Sequence, residues 1–289
     1  MPDSPVYKDA KGGNSMYASR SSIDDLIADN SNTFQVDGGA LWEHHSISTV
    51  GYAIGSYYGW RVDRIIKTEE DLKEAQRRGQ TKAKIGDYMF KDLDGKTDEK
   101  GNLVCDDGDR EVIGNGFPKL NFGLNFGFNY KNWDFNVYTY GELGKDILSY
   151  SAMRLSMITT SDDNTTATIL KSAYDDIYDP VTNPNGTLPA YSFTNENKNQ
   201  RVSDAWVKNG NFLKISNVQI GYNLTERTLK ALHMQNARIY FAVQNLATIS
   251  PYTKYGDPEI GQGSVLLTGL DTGRYPMART YMLGFNVTF

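Results

Sequence analysis

Hydrophobic and polar residues alternate without a break in two stretches of the chain. Leu120, Phe122, Leu124, Phe126, Phe128 and Tyr130 alternate with Asn121, Gly123, Asn125, Gly127 and Asn129. Strand side chains change face at every residue, so this stretch predicts a strand with one apolar face and one small, polar face. A tilted membrane-spanning strand needs about that many residues. The same pattern returns at 281–289, where Tyr281, Leu283, Phe285, Val287 and Phe289 share one face and Met282, Gly284, Asn286 and Thr288 the other. A soluble sandwich strand alternates in the same way, but an apolar-faced strand ending on an aromatic suits the closing strand of an outer-membrane barrel.

Three further strands follow from the pattern. Trp133 to Glu142 starts so soon after Tyr130 that the two form a hairpin. The strand at 212–224 changes phase at Asn217, which predicts a bulge, and 237–246 places Ile239, Phe241 and Val243 outward. The connections alternate in length: short at 131–132 and 225–236, long at 143–211 and 247–277. Outer-membrane barrels show this asymmetry, with short periplasmic turns and long extracellular loops.

The remaining elements are minor. Thr68, followed by Glu69, Glu70 and Asp71, predicts an N-capped surface helix to Arg78, and Thr225 caps a short helix through Leu232 on the periplasmic side. Residues 51–60 read as glycine-rich extended structure. Residues 1–30 read as loop with one helical turn at Ile23, Leu26 and Ile27, and 31–50 hold strand material around Phe34, Val36, Leu41 and Trp42. The expected organisation is therefore an uncertain loop and strand region over 1–50, followed by an all-β, antiparallel meander over 51–289 belonging to a transmembrane barrel.

Composition narrows the partners. The 289 residues carry 19 Tyr, 12 Phe and 27 Gly, which suits strands with aromatic girdles at the membrane interfaces. The net charge is −5 with scattered Lys and Arg, so there is no basic stripe for nucleic acid. No run of 18 apolar residues occurs, which excludes a spanning helix and leaves a barrel untouched. The single Cys105 forms no intrachain disulfide, and residues 1–10 lack the basic and apolar regions of a secretory signal.

Seven blocks resemble the C-terminal half of the SusC/RagA-type TonB-dependent outer-membrane transporters: GYAIGSYYGWRVDRI at 51, IGDYMFKDLDGK at 85, REVIGNGFPKLNFGLNFGFNYKNWDF at 110, NFLKISNVQIGYNL at 211, ARIYFAVQNL at 237, YGDPEI at 255 and GLDTGRYPMARTYMLGFNVTF at 269. They stand in the family's order. The resemblance implies a 22-stranded barrel in the cell outer membrane, importing oligosaccharides or peptides with a SusD-like surface lipoprotein and energised by the inner-membrane TonB complex. It also implies that the chain is a C-terminal fragment of six to eight strands, with plug, TonB-contacting segment and signal sequence lying elsewhere.

Candidate chemistry is sparse. Asp92, Asp94, Asp98 and Asp109 resemble the Asp-rich, dockerin-like calcium loop of many family members, with Asp106 and Asp107 nearby. Lys96 stands where an acidic ligand is expected, and a solvated acidic loop is the alternative. His44 and His45 are adjacent and point to opposite faces of a strand, and His233 has no second ligand at usable spacing. Asp257 and Glu259 lie two apart in a Pro-containing loop, which fits loop architecture better than a glycosidase pair. Tyr150, Tyr174, Tyr178, Tyr191 and Trp206 offer rings for sugar stacking or local packing. No catalytic set emerges, so the expectation is a transporter and no enzyme. The competing reading is a soluble or surface carbohydrate-binding β domain, whose apolar faces would be hidden inside a sandwich.

Overall fold

The computed structural model describes residues 33–34, 46–47, 51–157, 169–192, 196–260 and 268–289. Within them the strands are β1 (Thr33–Phe34), β2 (Ser46–Ile47), β3 (Ser56–Trp60), β4 (Val62–Ile65), β5 (Tyr88–Phe90), β6 (Arg110–Asn115), β7 (Leu120–Tyr130), β8 (Trp133–Leu143), β9 (Asp146–Ser149), β10 (Val207–Asn209), β11 (Phe212–Asn223), β12 (Asn236–Ile249), β13 (Leu270–Asp271) and β14 (Thr280–Thr288). Helices are short: α1 (Glu69–Arg77), α2 (Tyr150–Leu155), α3 (Lys171–Asp176) and α4 (Glu226–Ala231). No helix among the described residues is long and apolar enough to cross a membrane. Most of the residues expected as strand between 31 and 50, and the turn expected near Ile23, lie outside the described residues.

The chain divides into two interleaved units. One is the long antiparallel sheet β14-β12-β11-β8-β7, contained in 117–145, 209–259 and 274–289. The five strands predicted from alternation are its five strands, with no end differing by more than three residues. Leu120 pairs with Leu143 and Tyr130 with Trp133, so the hairpin closes on Lys131, whose φ of 54° makes the tight turn. The predicted bulge is present: between Ile215 and Asn217 the register of β11 shifts against both neighbours. Its consequence is visible in the pairing. Ile215 opposes Thr139 and Val218 opposes Val137, so the extra residue keeps Leu213, Ile215, Val218, Ile220 and Tyr222 on one face despite the change of phase in sequence.

The second unit is built from 51–116, 146–208 and 268–273, together with the short β1 and β2. The described residues of 146–208 and 268–273, read from sequence as long loops, here contribute to a hydrophobic core containing Tyr57, Trp60, Tyr88, Phe90, Leu148, Tyr150, Trp206 and Leu270. Each such buried aromatic contributes on the order of 2–3 kcal/mol. The Tyr57 hydroxyl stands 2.9 Å from the carbonyl oxygen of Thr268 and 3.1 Å from that of Asp146, tying three separate chain segments together. Burial pushes this hydroxyl far above the ordinary phenol range, so it remains a donor. Helix α1 starts as predicted, with a reciprocal cap between Thr68 and Asp71. Its Ala75 packs with Ile66, Ala83 and Met89 in a small satellite core. Gly59 lets another segment approach: a Cβ there would lie 2.4 Å from the Val202 carbonyl oxygen, which accepts from the Trp60 amide at 2.9 Å.

Candidate functional site

The two faces of the long sheet differ in kind. Paired residues share a face, so the register places Leu120, Phe122, Leu124, Phe126, Phe128, Phe135, Val137, Ile220, Phe241, Leu283 and Phe285 on one side. Leu124 is 62% exposed and Phe285 75%, and no second layer covers them among the described residues. A sandwich would bury this face. A barrel wall leaves it open to lipid, as a band about 25 Å tall. At the short-connection end, the rings of Trp133 and Tyr222 meet at 4.8 Å, where an aromatic girdle belongs.

The opposite face is polar and internally paired. Asp134 on β8 and Arg238 on β12 form a fork-to-fork pair, Nε to Oδ1 at 2.9 Å and Nη2 to Oδ2 at 2.6 Å, across the intervening β11. Gly221 on that strand makes the reach feasible, since a Cβ would meet both side chains within 2.4–2.5 Å. Further along, Glu259 folds back onto this face. Its carboxylate takes an ion pair from Lys214, of which 2% is exposed, and a hydrogen bond from the Tyr140 hydroxyl. Asp257 accepts from the Glu259 amide at 3.0 Å and from that of Met277 at 3.3 Å. These are the contacts of a loop anchor.

The Asp-rich loop is assembled by a turn that sequence spacing obscured. Thr97 and Leu103 bridge antiparallel, and Asp98 closes the tip by accepting from the amides of Lys100 and Asn102, both at 2.8 Å. This small hairpin returns the chain, so Asp92, Asp94 and Asp109 each bring a carboxylate oxygen within 4.8 Å of the others. Asp98 stays at the hairpin tip, outside that group. Lys96 pairs with Asp106 beside it. Asp109 is fully buried and accepts from the amides of Leu93 at 2.8 Å and Asp106 at 3.2 Å. Burial first, then repulsion from Asp92 and Asp94, holds its carboxyl above the usual range, against those two hydrogen bonds.

The other candidates resolve individually. His44 and His45 lie outside the described residues. His233 follows α4 with a φ of 55° and joins no group able to hold a metal among the described residues. Of the aromatic candidates, Tyr150, Tyr178 and Trp206 are buried in the core, whereas Tyr174 and Tyr191 are exposed.

An antiparallel sheet with an open apolar face, a charged and paired opposite face, and short connections at one end with long ones at the other has the pattern of a transmembrane barrel wall. No family model matches the chain. TonB-dependent receptor P3 of Formosa agariphila is 30% identical over 272 residues, which are 92% of this chain and 25% of that protein. TonB-dependent receptor SusC of Bacteroides thetaiotaomicron is 25% identical over 271 residues, 89% of this chain and 24% of that protein. Among solved structures, the RagAB peptide transporter aligns with a TM-score of 0.57 at 17% identity, covering 81% of this chain and 23% of that one. The RagAB peptide importer in its open-open state aligns with a TM-score of 0.56 at 16% identity, covering 89% and 25%. At that identity, these two show the fold. The chain belongs to the SusC/RagA-type TonB-dependent receptors, and it spans about a quarter of the length of the curated relatives it matches.

Proposed function

We propose that this chain forms part of the wall and the long outer loops of a TonB-dependent transporter in the cell outer membrane, one that imports oligosaccharides or peptides. The observation that carries this reading is the division of the sheet into an open apolar face and an ion-paired polar face. In the complete protein a plug and a TonB-contacting segment supply the energy coupling, and a SusD-like surface lipoprotein delivers the nutrient. The relatives named as receptors and the structures titled as a peptide transporter support it. The chain itself contributes surfaces and carries out no covalent chemistry.

The Asp-rich loop fits calcium only in part. Asp92, Asp94 and Asp109 would hold the ion, but three carboxylates fall short of the six to eight oxygens that calcium takes, and Lys96 adds a positive charge next door. In this reading the loop binds calcium weakly and serves to order itself.

Membrane fractionation and uptake test the main proposal together. The protein should partition with the outer membrane, and disrupting it should abolish uptake of labelled oligosaccharide or peptide while leaving a porin substrate unaffected. Recovery in the soluble fraction, with uptake intact after disruption, would overturn it.

A further inference from the structure

The second unit contains a cleft of about 460 Å³ that the barrel wall does not explain. Trp60 lines it, buried, with Arg110 over its ring at 4.7 Å and Arg201 at 4.9 Å. Arg201 also lies over Phe90 at 4.4 Å. A ring so covered gives a sugar no face to stack on. What the cleft presents instead is charge, Lys82, Arg110, Lys198 and Arg201 set against Asp106, Asp107 and Glu196.

Arg201 is 9% exposed, yet its partners are all neutral. It donates to the carbonyl oxygens of Lys198 at 3.1 Å and Asn197 at 3.0 Å, and to the Cys105 sulfur at 3.2 Å. Burial pushes the Cys105 thiol up, so at neutral pH it does not become a thiolate that would offset the guanidinium. No carboxylate among the described residues forms an ion pair with Arg201. Of the acidic residues that line the cleft, Asp106 pairs with Lys96, Glu196 with Lys84 at 2.6 Å, and Asp107 stands 3.7 Å from Arg110, which lines the same cleft. Lys82 and Lys198 are exposed at the cleft and likewise have no ion pair among the described residues.

A buried guanidinium with no carboxylate in ion-pair contact is costly. The surrounding structure nonetheless holds it in place. Asn197 and Asn199 fix its chain segment: Asn197 donates to the Tyr88 carbonyl at 2.9 Å, and Asn199 donates to Asp87 at 2.7 Å. Gln80 donates to Asn197 at 3.1 Å, and Gly59 admits the Val202 carbonyl alongside. Three of the five guanidinium N–H groups are used, which leaves two to donate.

We propose that this cleft binds a carboxylate group of the ligand, with Arg201 as its centre and Lys82 and Lys198 at its rim. A planar fork with two spare donors matches a carboxylate, and such charge-assisted hydrogen bonds are roughly twice as strong as neutral ones. The inference rests on the transport reading, in that it assigns the nutrient to an acidic class. A uronate-containing oligosaccharide and an acidic peptide share that chemistry.

The experiment uses the complete receptor carrying this chain, solubilised in detergent. Trigalacturonate and triglutamate are titrated by calorimetry beside their neutral counterparts, maltotriose and triglutamine. One acidic probe should bind and slow alkylation of Cys105, which shares the cleft; which of the two does so identifies the source. Arg201→Gln should weaken that probe at least tenfold, and Arg201→Lys should restore part of the loss. Because Arg201→Gln also removes packing on Phe90, the exposed variants Lys82→Gln and Lys198→Gln carry the test if it fails to fold, each weakening binding about threefold. Neutral probes binding as tightly as acidic ones would overturn the proposal. So would acidic probes that leave Cys105 unprotected at millimolar concentration, or rim variants with unchanged affinity. A receptor that imports nutrient but fails these tests loses only this inference. Carboxylate binding without any import would instead count against the transport reading.

Discussion

Lys214 and Glu259 form an ion pair on the polar face of the sheet, joining the middle strand to the connection that follows β12. The lysine is almost wholly buried, whereas the glutamate keeps about a quarter of its side chain exposed and has Tyr140 as a second partner. Removing either end is therefore not equivalent. Glu259→Leu strands a buried ammonium and should cost about 3–5 kcal/mol. Lys214→Met leaves a glutamate that still has water and Tyr140, so it should cost less. The double variant should be no worse than Lys214→Met, with a coupling energy on the order of 1–3 kcal/mol. Thermal unfolding of the four proteins in detergent reads this out, and equal, additive losses would contradict it.

The open apolar face predicts a difference between neighbours in sequence. Phe126→Arg places a charge on the lipid side near the middle of β7 and should cost about 2–4 kcal/mol, lowering the protein recovered from the membrane. Asn125→Arg, one residue away on the polar face, should leave that amount nearly unchanged. Similar recovery of both variants would mean that lipid does not contact this face.

At Gly59 a methyl group would strike a main-chain oxygen, which cannot swing aside as a side chain can. Gly59→Ala should destabilise the second unit by about 1–3 kcal/mol and displace the segment at Val202. Alkylation of Cys105, bonded to Arg201 in that segment, should then accelerate. An unchanged alkylation rate would show that the segment adapts.

The Asp92, Asp94 and Asp109 group predicts a pH dependence with a definite sign. The Asp109 carboxyl is held above its ordinary range, so the folded state binds its proton more tightly than the unfolded state. Ionised Asp109 thus costs stability near neutral pH, and that cost is relieved as pH falls through its raised pKa. Protease resistance of the 92–109 loop should increase relative to Asp109→Asn over that range. Calcium should act in the same direction, but only at concentrations well above micromolar. Saturation at micromolar calcium would show that Lys96 matters less than argued.

The sheet was legible because its information is local. Period-two alternation marks β7 and β14, a two-residue gap marks the β7–β8 hairpin, and the phase change at Asn217 marks the bulge. The Thr68 cap was legible for the same reason, as its partner is three residues away. The core of the second unit was not, because Tyr57, Leu148, Trp206 and Leu270 come from segments whose patterns carry no regular period. Asp109 belonged to the acidic set read from sequence, and the Thr97–Leu103 hairpin folds out the residues that separate it from Asp92. Asp98, close in sequence, was drawn instead to the tip of that hairpin. Nothing in the pattern around Lys214 marks it as buried, and only Glu259 arriving from a distant loop explains a buried charge there.

Tyr57 also bears on the order in which the chain folds. Its hydroxyl contacts carbonyls 89 and 211 residues away, so its unit cannot finish until chain from beyond β12 has been delivered. The β7–β8 hairpin closes over two residues and can form early, whereas the Tyr57 contacts must wait, since distant pairings close slowly. Until that chain arrives, the core around Tyr57 lacks Leu270, one of its buried members. The long excursions, more than the strands, thus set how long that core waits to close.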